Sequence, residues 1–187
     1  KQRTPPSASR SPTPTTSSPK PDRICGTPNA TSATPASSDD EQLAAAQSQA
    51  VRSGMALGIM HDLAVGVHPT GADAWALQDV LALGVTAGAP PDEFNQLGQN
   101  WSQPPWRPDQ LEELGYQPFR ALIQAILRHA GGVRIDHIIG LFRLWWIPDG
   151  APPTRGTYVR YNHDAMIGSV ALEAPRAGAV GGGEGLG

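Results

Sequence analysis

The stretch Gly132-Val133-Arg134-Ile135-Asp136 sets a guanidinium two residues from a carboxylate in a segment that reads as a β-strand. Side chains alternate faces along a strand, so Arg134 and Asp136 share one face while Val133 and Ile135 turn toward covering helices. An arginine this close lowers a carboxylate's pKa by ~1–3 units and holds it ionised. An ionised, oriented carboxylate is what a glycosidic nucleophile requires. The same spacing also suits a structural ion pair at a strand end. Glu184 follows the next predicted strand. Two carboxylates on neighbouring strand ends can stand ~5–5.5 Å apart, the separation of a retaining glycosidase pair. Glu184 would then be the acid/base, its pKa raised by apolar surroundings.

Other reactive residue types form no comparable set. His61, His68, His129, His137 and His163 show no HxxxH or HxxH spacing, and the single Cys25 cannot complete a zinc set, so no metal is expected. His129 reads as a charge near a helix C-terminus. Gly181, Gly182 and Gly183 lack the Lys-Ser/Thr of a phosphate loop.

The elements that must position these residues follow from periodicity. Residues 55–67 are apolar and β-rich around Asp62, as in a buried strand emerging at a polar rim. Residues 72–83 space Trp75, Ala76, Val80 and Leu83 as a helix does. Residues 88–108 carry five prolines, Phe94, Trp101 and Trp106, and no periodicity. They read as a long loop, and loops above ~12–15 residues in compact domains are commonly functional. In 117–130, Phe119, Leu122, Ile123, Ile126, Leu127 and Ala130 make one helical face, with Pro118 in the first turn and Gly131 as the stop. Residues 141–147 and 158–161 are extended. Asn162 caps a helix through Arg176, with Met166, Ile167, Val170, Ala171 and Ala174 on one face, and 179–183 forms a last strand. Alternating strands and helices imply parallel strands joined by crossover helices.

Residues 1–40 differ in kind. More than half are Pro, Ser or Thr, and Leu, Val, Phe, Trp and Tyr are missing. Such a segment cannot offset an ordering cost of ~1–2 kcal/mol per residue, so a disordered tail is expected, with the folded part at 41–187 and a helix starting near Asp39 and Asp40. The net charge of −3 argues against a general nucleic-acid binder, and no apolar run nears the ~20 residues that span a bilayer. One cysteine favours a reducing compartment, so a cytoplasmic location is expected. Lys1 in place of Met, no leader segment and a Gly-rich ending make both ends read as cut.

Four stretches together resemble the 4-α-glucanotransferases of glycoside hydrolase family 77. They are residues 61–75 (HDLAVGVHPTGADAW), 88–108 (GAPPDEFNQLGQNWSQPPWRP), 131–148 (GGVRIDHIIGLFRLWWIP) and 156–168 (GTYVRYNHDAMIG). The resemblance covers roughly 41–187. It implies part of a (β/α)8 TIM barrel of the α-amylase clan, and α-retaining transfer of a maltodextrin segment to an acceptor sugar. On this resemblance Asp136 is the nucleophile, Arg134 its partner and Glu184 the acid/base. His137 lies beside the reacting glucose, and Phe94, Asn100 and Trp101 fall in the loop lining donor and acceptor subsites. No cofactor is implied. A glucan hydrolase of the same clan and a non-catalytic maltodextrin-binding remnant are the alternatives.

The chain departs from the family pattern at its end. Gly185 stands where the family has Asp after the acid/base, and three glycines replace the β-branched residues before it. Glycine in a strand costs ~0.5–1 kcal/mol each, so a weakened last strand is expected. The family's third carboxylate falls beyond residue 187 and a barrel takes ~250 residues, so the segment alone is expected to be inactive.

Overall fold

The computed structural model describes the backbone of residues 35–185 and the side chains of 39–185. In chain order its elements are α1 (Pro35–Arg52), β1 (Met60–Leu63), α2 (Ala72–Ala76), β2 (Val85–Ala89), β3 (Gln99–Asn100), α3 (Pro108–Glu113) and α4 (Gln117–Leu127). Then come β4 (Gly132–Ile135), β5 (Arg143–Pro148), β6 (Thr157–Arg160), α5 (His163–Arg176) and β7 (Val180–Gly183), with single 3-10 turns at Ile138–Leu141 and Pro153–Arg155.

Three strands make the expected parallel sheet, in the order β1-β4-β7. Its registers align Asp62 with Arg134 and Arg134 with Gly182. Val133 and Ile135 face the core, as alternation requires, and pack with Phe119, Ile123 and Leu127 of α4 and Met166, Val170 and Ala174 of α5. Each such side chain contributes ~1.5–3 kcal/mol of transfer free energy. Asn162 accepts a hydrogen bond from Ala165 N at 3.2 Å, the N-cap expected for α5.

The apolar stripe predicted on α5 is rotated from the one observed. Ile167 is exposed, and the buried row instead includes Ser169 and Glu173. The reason lies on α4, which presents Arg120 and Gln124 to the carboxylate. Arg120 donates twice to Glu173 Oε1 (2.9 and 2.8 Å) and Gln124 donates to Oε2 (2.9 Å). A buried charge held this way is tolerated, because its lone pairs are occupied.

Several expectations are corrected. Helix α1 starts at Pro35, inside the segment expected to be disordered; residues 1–34 of that segment lie outside the described residues. Asp40 therefore sits within the helix, where its carboxylate meets His129 at 2.7 Å and Arg128 at 3.2 Å. The strand expected over 55–67 shrinks to Met60–Leu63 because Gly54 and Gly58 take left-handed φ of 92° and 72°. The helix expected over 72–83 stops at Ala76; Val80 and Leu81 turn in to pair with the returning chain, while Trp75 is 76% exposed.

The largest correction concerns the loop expected over 88–108 and the all-parallel reading. Ala82 N donates to Pro105 O (2.8 Å), Arg107 N to Val80 O (2.8 Å), Ala87 N to Gln103 O (2.7 Å) and Trp101 N to Ala87 O (2.9 Å). The segment is a zipped antiparallel excursion whose tip spans residues 90–98. It joins a second, antiparallel sheet in the order β3-β2-β5-β6. Two excursions, one leaving β1 and one leaving β4, thus pair with each other through β2 and β5. Their return points are tied as well: the Tyr161 hydroxyl donates to Trp106 O at 2.8 Å. Burial pushes that hydroxyl's pKa far above the usual tyrosine range, so it stays a donor.

Candidate active site

The parallel ladder continues one step past the strands and carries the acidic residues with it. Asp136 N donates to Leu63 O at 3.0 Å, and Glu184 N donates to Ile135 O at 3.0 Å. Ile138 N in turn donates to Glu184 O at 2.7 Å. Both carboxylate-bearing residues are thereby fixed at the C-terminal rim of adjacent strands. The glycine run of β7 is fully paired with Gly132–Ile135, so the strand forms despite it. A Cβ at Gly183 would collide with the Ile138 side chain, which gives that glycine a packing reason.

Arg134 gathers the acids. Its Nη1 donates to Asp62 Oδ1 at 2.8 Å, its Nη2 reaches Asp136 Oδ1 at 3.5 Å, and the same Nη2 contacts Glu184 Oε2. The Asp62 hydrogen bond is the largest influence raising the guanidinium's pKa, so Arg134 is a permanent cation here. Glu184 is exposed and beside this cation, not in the apolar surroundings expected for it.

A cavity of about 460 Å³ opens over the rim, lined by Trp101, Gln103, Asp136, His137 and Glu184 together with Ala64 and Val65. His137 leaves the strand in the left-handed region, φ 47°, a conformation rare for a residue with a Cβ. Its ring meets that of Trp101 edge-on, with centroids 5.1 Å apart. Burial lowers the His137 pKa below the usual histidine value, which leaves the imidazole neutral at pH 7.

The structure therefore brings together Asp136, Glu184, Arg134, His137 and Trp101. Phe94 lies apart from that cavity, 98% exposed at the excursion tip, on a second cleft that His137 also lines. Asn100 lines neither cavity; its Oδ1 accepts from Ser102 N at 2.8 Å and shapes the backbone before Trp101. Asp62 was read from sequence only as the polar residue of a strand emerging at the rim, and Gln103 and the β5–β6 aromatics were given no site role. For Asp62 the missing signal was register, which only the β1–β4 pairing supplies. Among the described residues no group of three or more His, Cys, Asp and Glu could hold a metal ion, and no helix is long and apolar enough to cross a membrane.

Parallel strands with helical crossovers, ending in acids gathered on one arginine, define part of an α/β barrel with its polar residues at the strands' C-terminal rim. Residues 38–187 match the family model described as 4-alpha-glucanotransferase, and the chain belongs to that family. It is 85% identical over 148 residues to a 4-alpha-glucanotransferase of Mycobacterium tuberculosis (strain ATCC 25618 / H37Rv), covering 79% of this chain and 20% of that protein. A Haemophilus influenzae 4-alpha-glucanotransferase is 43% identical over 137 residues, 73% of this chain and 20% of its own length. The amylomaltase structure from Corynebacterium glutamicum superposes with a TM-score of 0.77 at 59% identity, over 80% of this chain and 21% of that one. The chain thus spans about one fifth of the length of the relatives it matches. An amylomaltase from Streptococcus agalactiae in complex with acarbose shares the fold at 22% identity and a TM-score of 0.69, over 79% of this chain and 30% of that one.

Proposed function

We propose that a full-length protein carrying these residues transfers α-1,4-glucan (maltodextrin) segments to an acceptor sugar by retaining double displacement. The observation that carries the reading is the placement of Asp136 and Glu184 on one guanidinium and one cavity. Arg134 stands beside Asp136, whose carboxylate attacks the anomeric carbon as Glu184 gives its proton to the departing glycosidic oxygen. A covalent glycosyl ester forms at Asp136. The acceptor's 4-hydroxyl then loses its proton to Glu184 and displaces Asp136, which restores both residues with the anomeric configuration retained. Trp101 offers an apolar ring to a sugar's C–H face, and Gln103 and neutral His137 supply hydrogen-bonding groups for hydroxyls.

Transfer over hydrolysis requires the glycosyl ester to be kept from water until the acceptor arrives. The zipped excursion that carries Trp101 and Gln103 is suited to that role. Incubation with maltotriose and chromatography of the products tests the reading. Glucose together with chains longer than maltotriose supports transfer. Glucose and maltose with no longer product identifies a hydrolase instead, and binding without turnover a non-catalytic protein.

A further inference from the structure

Tyr161 gives the two excursions a shared footing. Its backbone N donates to Phe142 O at 3.0 Å and closes the base of the second excursion. Its hydroxyl donates to Trp106 O at 2.8 Å, at the foot of the first. We infer that Tyr161 is a positioning residue for glucan transfer: through Trp106 its hydroxyl sets Trp101 over the acids, and so governs how the glycosyl ester divides between acceptor and water. The inference rests on the function proposed above and extends it to a residue that does not line the cavity over the rim.

The backbone bonds of the first excursion mostly join its own two arms. Ala82 N to Pro105 O, Arg107 N to Val80 O, Ala87 N to Gln103 O and Trp101 N to Ala87 O are all of this kind. They keep its shape and leave its tilt on the rim to other contacts. Below the antiparallel sheet, the returning arm rests on two. The Trp106 ring meets Phe119 of α4 edge-on, centroids 6.4 Å apart, and Trp106 O accepts the Tyr161 hydroxyl. Ring packing tolerates sliding, whereas a hydrogen bond fixes distance and direction. Among the described residues no backbone N–H donates to that carbonyl, so the buried Tyr161 satisfies it.

The path from Trp106 to the site is short and stiff. Pro104 and Pro105 join it to Gln103, and a proline locks φ at about −65°. Ser102, just before, takes a left-handed φ of 56°, and its N donates to Asn100 Oδ1. A shift at Trp106 therefore reaches Gln103 and Trp101, which line the cavity over the acids, and Trp101 abuts His137. Space for such a shift exists. A small cavity of about 40 Å³ has Tyr161, Trp106, His137 and Asp136 among its lining residues.

The test uses a full-length protein carrying these residues, incubated with maltotriose. Hydrolysis is read as the gain in reducing ends, whose number transfer leaves unchanged, and transfer as chains longer than maltotriose. Circular dichroism confirms that each variant is folded. Tyr161→Phe is expected to raise the ratio of hydrolysis to transfer at least about threefold. In the Trp101→Ala background the same substitution raises it by less than about 1.5-fold, because the hydroxyl acts through that ring. Ile123→Val weakens the core without touching either excursion's foot and also raises it by less than about 1.5-fold. Pro104→Ala keeps the hydroxyl but loosens the path; it raises the ratio at least about twofold and decides the question if Tyr161→Phe does not fold. A smaller rise in Tyr161→Phe or Pro104→Ala, or a larger one in the Trp101→Ala background or in Ile123→Val, overturns the inference while the acid-pair reading stands. If the unchanged protein makes no chains longer than maltotriose, the proposed transfer falls, and this inference with it.

Discussion

Asp62 and Arg134 are partners twice over: paired in register across β1 and β4, and joined by a 2.8 Å hydrogen bond from guanidinium to carboxylate. Asp62 does not line the cavity over the rim. It holds the residue that touches both Asp136 and Glu184, and so acts as a positioning residue.

Replacing it by Asp62→Asn keeps the shape and removes the charge. In a full-length protein carrying these residues, kcat falls roughly tenfold, about 1.4 kcal/mol in barrier, with KM little changed. A merely structural role would raise KM along with the fall in kcat, so the split between kcat and KM is the deciding measurement.

Asp136→Asn removes the attacking carboxylate. Transfer drops by at least ~10³-fold, about 4 kcal/mol in barrier. Product formation from maltotriose measures it, and near-normal turnover refutes the nucleophile assignment.

Trp101→Ala removes a ring that lines the cavity and abuts His137. The expected outcome is weaker glucan binding and a larger share of hydrolysis, read as the ratio of released glucose to transfer product. An unchanged ratio and unchanged KM exclude Trp101 from the subsite.

Glu173 offers a pH test of the helical layer. Hydrogen bonds from Gln124 and Arg120 hold its carboxyl below the usual carboxylate range. With the folded-state pKa depressed, its stabilising contribution is complete above the unfolded value and is lost as pH falls through the folded one. Melting temperature measured from pH 7 down to pH 3 therefore falls more steeply for the unchanged chain than for Glu173→Gln, which already starts lower at pH 7.

Gly131→Ala tests the approach of α4 to β1. A Cβ at this position would overlap the backbone carbonyl of Leu57, and Gly131 N donates to Ile59 O at 2.8 Å. Backbone cannot rotate away as a side chain can, so the cost exceeds the ~1–3 kcal/mol of ordinary overpacking. A loss of cooperative unfolding, or a melting point lowered by ~5 °C or more, is expected.

Much of this arrangement was legible in the residues because local and tertiary signals agreed. Along α4, Phe119, Ile123 and Leu127 repeat at helical spacing and are the buried face. Val133 and Ile135 alternate with Arg134 and Asp136, which sufficed to set both acids on one rim with the following strand. The second sheet was hidden because its hydrogen bonds join residues far apart in the chain, such as Thr86 with Ile147, and no short window contains both partners. Glu173 broke its helix's apolar stripe for a related reason: its partners are on another helix, about fifty positions earlier. The start of α1 was masked by composition, since a Pro- and Ser-containing stretch enters a helix whose anchor, His129, lies 89 residues away.

The seam between β2 and β5 has a mechanical consequence. Four residue pairs clamp the two rim excursions edge to edge. Neither can swing aside alone without tearing that seam, so any gate over the acids must move as a single plate. A change in the length of one flap then reshapes the other.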